Sequence, residues 1–211
     1  MFRTVFLLIS LAFVVACTNA NDLDKGPVPL GNFSLGHNVV VAPKLTKGPA
    51  SREADKDQFT KMMQEAVEER FGRYEGDKLY HFGISLEGYV LAQPGIPLVA
   101  SPKSILILNL TVWDDAAGKK LNPKVEQITV IESFSGGSLV GSGYTQSAEE
   151  QMRGLTRNAA KQIQNYLVRQ NYKEGWFKPK PGDPAPKPSE PVAAKTTAPE
   201  PVAPVIAPEE E

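Results

Sequence analysis

Apolar and polar positions alternate along this chain with two distinct periods. Phe59, Met62, Met63, Ala66, Val67 and Phe71 recur at intervals of three and four, which puts them on one side of a helix predicted from about Glu53 to Phe71. Asp55 with Gln58, or alternatively Ser51, suits its N-terminus, and Gly72 suits its stop. Met152, Leu155, Ala159, Ile163, Tyr166 and Leu167 form a second stripe of the same period. There Ser147 and Glu150 form a capping box, and the helix is expected to end near Asn171. Between the helices the period drops to two. In Leu79–Leu91, Tyr80, Phe82, Ile84 and Leu86 alternate with His81, Gly83, Ser85 and Glu87, which predicts a long strand with one buried face. Ser104–Trp113 is loaded with Ile105, Leu106, Ile107 and Leu108 on both faces, as in a central strand, and Asn109 and Thr111 share a face with Trp113. Further strands are predicted at Leu35–Ala42 and Val125–Phe134, with a short edge strand returning over Leu139–Tyr144. Leu45–Ser51 and Asp114–Lys120 read as loop and turn.

The order of strand, helix, several strands and helix predicts an α+β fold. Its sheet is expected to be mostly antiparallel, of four to five strands, with the two helices packed on one face and the strand around Ile107 near the centre. Trp176 and Phe177 are expected to fold back as the last packed residues.

The amino terminus follows a different rule. Met1-Phe2-Arg3 is short and positively charged, and Val5–Val15 is apolar apart from Ser10. That run is too short to span a bilayer, which takes roughly 20 residues, but it has the layout of a secretory signal. Val14-Val15-Ala16-Cys17 resembles the bacterial lipobox, with Ala16 and Cys17 matching and Val15 the less usual residue. The resemblance implies cleavage before Cys17, a diacylglyceryl thioether on its sulfur and acylation of the new amino terminus, palmitate being a typical chain. Each buried acyl CH₂ contributes about 0.8 kcal/mol, so two or three chains anchor durably where one does not. Thr18, where an Asp would favour retention in the inner membrane, points to the outer membrane, with the protein facing the periplasm. Cys17 is the sole cysteine. Disulfides, metal–thiolate sites and cysteine nucleophiles are therefore excluded once it is acylated.

Four regions follow: a signal peptide over 1–16, a lipidated flexible tether over 17–32, an α+β domain over 33–177 and a Pro-rich tail over 178–211. The tether carries Gly26, Pro27, Pro29 and Gly31. The tail repeats Ala-Pro, Lys-Pro and Glu-Pro pairs, favours polyproline II and lacks the apolar surface to fold. At about 3.1 Å per residue it reaches on the order of 100 Å. It serves as a spacer or reaches toward the cell wall or a partner. Element order and lipobox together resemble small envelope-lipoprotein domains such as the TolB amino-terminal domain and the LpoB activator of peptidoglycan synthases, across roughly residues 33–172. The resemblance carries no functional residue.

Composition narrows the chemistry. Hydrophobic residues make up 41% of the chain and charged residues 22%, as in one globular domain with appendages. With Arg3 and the acidic tail set aside, residues 17–177 are formally neutral. That argues against nucleic-acid binding, which depends on clustered positive charge. The paired carboxylates Asp114 and Asp115 fit a solvated turn better than acid–base or metal chemistry. His37 and His81, the only histidines, meet if their strands pair, but without a carboxylate pattern they make a weak metal site. Ser135–Gly143 lacks the Lys-Ser/Thr of a phosphate loop, and Gly141-Ser142-Gly143 lacks the nucleophile-elbow spacing. The cations of the last helix read as its solvated side. No catalytic, cofactor-binding or metal-ligating residue is assigned, and Cys17 is the one modification site. The expectation is a non-enzymatic, lipid-anchored interaction or scaffolding protein of the envelope, with an envelope protein or peptidoglycan as partner, docking on an uncovered sheet face or edge or on the tail. The alternatives are an accessory lipoprotein of a transport or assembly system, holding an apolar ligand between sheet and helices, and a hydrolase built on Asp114, Asp115 or His81.

Overall fold

The computed structural model describes residues 20–93, 104–132 and 146–179. The signal segment, Cys17, the strand expected at Leu139–Tyr144, the glycine-rich stretch before it and most of the Pro-rich tail lie outside them. The elements in chain order are β1 (Ser34–Val41), β2 (Thr46–Lys47), α1 (Lys56–Phe71), β3 (Leu79–Val90), β4 (Ile105–Asp114), β5 (Lys119–Lys120), β6 (Glu126–Ile131) and α2 (Ala148–Glu174).

This is the α+β fold expected from the periodicities, with six strands because two short ones join the four long ones. β3 and β4 form an antiparallel centre. Outside β3, β1 pairs along its first half and β2 along its end, both parallel; outside β4, β6 and β5 pair antiparallel. β1 and β3 are parallel because α1 connects them, carrying the chain back to the start of the sheet. Thr46–Lys47, expected in a loop, is thus a two-residue strand against Gly88 and Tyr89.

Both helices cover one face. α1 is capped by Asp55, whose side chain accepts the Gln58 N–H at 2.7 Å, so it begins three residues later than its pattern suggested. Its Gly72 stop keeps ordinary right-handed geometry (φ −64°) and needs none of glycine's freedom. In α2 the capping box forms in both directions between Ser147 and Glu150. The backbone N–H of Ser147 holds the Glu150 carboxyl below its ordinary range. α2 runs three residues past Asn171 and ends where Gly175 turns left-handed (φ 66°), a conformation glycine adopts without strain.

The core lies between helices and sheet. Phe33 sits at its centre, with ring centroids 5.1–6.2 Å from Phe71, Tyr74, Tyr80, Phe82 and Phe177. Trp176 and Phe177 fold back and are buried, as expected.

The segment expected as a free tether departs from that reading. Residues 20–32 run as a strap along the domain, with Ala20, Leu30 and Asn32 buried. Its glycines, prolines and polar residues prevent a helix or strand but do not prevent packing. The carbonyls of Ala20, Val28 and Leu30 accept hydrogen bonds from the side chains of Arg70, Tyr74 and Asn171 at 2.8–2.9 Å.

Candidate functional site: the uncovered sheet face

The register shows which residues occupy the sheet face opposite the helices. Tyr80, Phe82, Ile84 and Leu86 of β3 pair with Asp114, Val112, Leu110 and Leu108 of β4 on the buried side. Their neighbours His81, Gly83 and Ser85 pair with Trp113, Thr111 and Asn109 on the other side. A bulge between Leu86 and Gly88 then shifts the phase of β3 by one residue. Tyr89 turns inward, and Gly88 and Val90 join the outer side opposite Ile107 and Ile105.

Small residues therefore dominate the outer side of β3, while its flanks carry larger apolar ones. Val39 (54% exposed) and Val41 (47%) of β1 border it on one side, Ile107 and Trp113 (37%) of β4 on the other, and Ile131 (49%) extends the face onto β6. The result is a shallow trough floored by Gly83, Ser85 and Gly88, with Val39 and Val41 on one bank and Ile107, Asn109, Thr111 and Trp113 on the other. Asn109 crosses it to donate to Glu87 at 3.0 Å. Among the described residues, both helices lie on the other face.

One end of this face holds the histidines. β1 breaks register between Leu35 and Asn38, leaving the His37 N–H without a ladder partner. The His81 Nδ1 accepts that N–H at 2.7 Å, and its Nε2 lies 2.9 Å from an Asp115 oxygen. Since Nδ1 accepts, the proton sits on Nε2 and is donated to Asp115. The His37 and His81 rings stack with centroids 4.8 Å apart. Gly36 is required beneath them, because a Cβ there would lie 2.3 Å from His81 Nδ1.

The structure thus joins His37, His81 and Asp115, and separates Asp114. Asp114 points to the buried side and caps the turn, accepting the Ala117 N–H at 3.0 Å. The two carboxylates lie on opposite sides: Asp115 is exposed, as a solvated turn requires, whereas Asp114, expected in that solvated turn, is 2% exposed because its side chain turns inward to cap the turn. Both nitrogens of His81 are engaged in hydrogen bonds. Its geometry seals a strand irregularity. Among the described residues, no group of three or more His, Cys, Asp or Glu side chains is placed to hold a metal ion, and no helix is long and apolar enough to cross a membrane.

A charged cluster that the sequence reading passed over lies on the helix side. Arg70 is 3% exposed and donates to Asp22 and to the Ala20 carbonyl at 2.9 Å, and to Gln164 at 3.1 Å. Lys161 reaches the second Asp22 oxygen at 2.5 Å. Burial pushes the Asp22 carboxyl up, but the hydrogen bonds and charges of Lys161 and Arg70 outweigh it and hold the group below its ordinary value. Gln164 also donates to the Tyr74 hydroxyl at 2.8 Å, and burial raises that phenol. One sequence signal pointed here: Arg70 falls at the next three-residue step of the stripe through Phe59, Met63 and Val67.

No family model matches the chain, and no curated protein matches it. Several solved structures are similar to it. A Xanthomonas campestris protein with the family model DUF330 is 14% identical, covering 70% of this chain and 94% of its own, with a TM-score of 0.38. A candidate lipoprotein from Caulobacter crescentus CB15 is 11% identical, covering 72% of this chain and 96% of its own, with a TM-score of 0.38. A minor lipoprotein from Acinetobacter baumannii is 17% identical, covering 63% of this chain and 94% of its own, with a TM-score of 0.25.

Proposed function

We propose that this protein is a non-enzymatic interaction lipoprotein of the bacterial envelope. In this reading Cys17 carries the lipid, the outer membrane holds the protein facing the periplasm, and the uncovered sheet face receives a partner protein. The observation that carries the reading is the trough along β3. Val39, Val41, Trp113 and Ile131 stand exposed along it, apolar side chains of the kind a partner surface covers. The aromatic cluster around Phe33 packs one end of the layer between helices and sheet.

The test has two parts. Mass spectrometry of the mature amino terminus should find a diacylated Cys17, and Cys17→Ser should move the protein out of the membrane fraction. A photo-crosslinking residue at Val41 or Trp113 should then capture a discrete envelope protein in cells, while one at Lys61 on α1 should not. Equal labelling from all three positions would argue against the sheet face as the docking surface.

A further inference from the structure

Resting on the Cys17 anchor proposed above, we infer that the helix layer lies against the phospholipid headgroups and that the uncovered sheet face is turned away from them. The argument starts from the length of chain between lipid and fold. Only Thr18 and Asn19 separate Cys17 from Ala20. Three residue steps span at most roughly 10 Å. Ala20 is already 6% exposed, and its carbonyl is held by Arg70. Two residues later, Asp22 is gripped by Arg70 and Lys161.

Every side chain in this grip belongs to a helix. Arg70 stands in the last turn of α1, Lys161 in the middle of α2, and Gln164 one turn further along α2 accepts from both cations. The strap therefore leaves the domain on the helix side of the sheet. A lipid on Cys17 holds the helices within about one short span of the bilayer. The sheet lies behind the helix axes by about a helix diameter, on the order of 10 Å, and its open face looks the other way. The outward surface of the helices suits headgroup contact without insertion. Lys61, Glu65, Glu68, Glu69 and Arg157 give it both signs of charge and no apolar stripe.

Spin-label relaxation in vesicles separates the two faces. The lipidated full-length protein, whose Cys17 sulfur is blocked by its thioether, carries a nitroxide at Glu65→Cys on α1 or at Thr129→Cys on β6; both positions are exposed. It is reconstituted into phosphatidylethanolamine–phosphatidylglycerol vesicles containing a nickel-chelating lipid. The label at position 65 should relax several-fold faster than the label at 129, and a long Gly-Ser insertion between Asn19 and Ala20 should abolish the difference. Equal relaxation at both positions in the vesicle-bound, lipidated protein overturns the orientation and leaves the anchor standing. A mature amino terminus without lipid, with neither label relaxed, overturns the anchor and the orientation with it.

Discussion

Asp22→Asn tests the strap most directly. The substitution keeps the shape of the side chain and removes its charge. Arg70, 3% exposed, retains Gln164 and the Ala20 carbonyl as neutral partners, and Lys161 retains Gln164. A guanidinium that loses its buried counter-charge costs about 3–5 kcal/mol. The side chains of Asp22 and Lys161 are 23% and 14% exposed, so water relieves part of that, and a loss of about 2–3 kcal/mol is expected. For a domain of this size each kcal/mol moves Tm by about 2–4 °C, so the variant should melt roughly 5–10 °C lower at neutral pH. The melt can be followed through the fluorescence of Trp113 and Trp176 in detergent-solubilised protein. The pH dependence supplies a second, independent readout. The Asp22 pKa is lowered from its ordinary 3.8, so its contribution is complete above that value and is lost as pH falls through the lower folded one. The gap between wild type and variant should therefore close in acid, below about pH 4. A variant as stable as wild type at neutral pH, or a gap that persists unchanged in acid, would refute the account of the strap.

Two further substitutions probe the core and the open face. Phe33→Ala removes the ring at the centre of the aromatic cluster and should cost about 3–5 kcal/mol, read as a lower urea midpoint; a loss below about 1 kcal/mol would mean that the cluster collapses around the gap. His81→Phe keeps a ring over Gly36 but removes the acceptor of the His37 N–H. Hydrogen exchange at the His37 amide should accelerate while the paired amides of β4 stay protected, and an unchanged His37 rate would show that the amide has another partner.

What could be read from the chain was whatever repeats. The stripes of both helices, the Ser147–Glu150 box and the alternation of Tyr80 to Leu86 follow from periods of 3.6 and 2, and each stands in the structure. The bulge after Leu86 was not legible, because a single inserted residue breaks the period without a marker of its own. The same holds for the break in β1 at Gly36–His37. The meeting of His37 and His81 followed from pairing their strands, but the partnership with Asp115 depends on how β4 ends. The strap was misread because glycine and proline report on local backbone, whereas Asp22, Val28 and Leu30 are fixed by partners 46–141 residues away. Arg70 shows the converse. It is a charged residue buried because its place in the stripe governs, and Asp22 makes that burial tolerable.

Asn171 draws the two ends of the domain together, donating to the Leu30 carbonyl while its oxygen accepts the Phe177 N–H at 2.9 Å, and the Phe177 carbonyl accepts the N–H of Asn32. A polypeptide made from its amino end has the earliest part of this clasp long before the last. Until Trp176 and Phe177 emerge, Phe33 and Leu30 lack part of their cover. The clasp, and with it the closed end of the core, is completed by the last packed residues of the domain to be made.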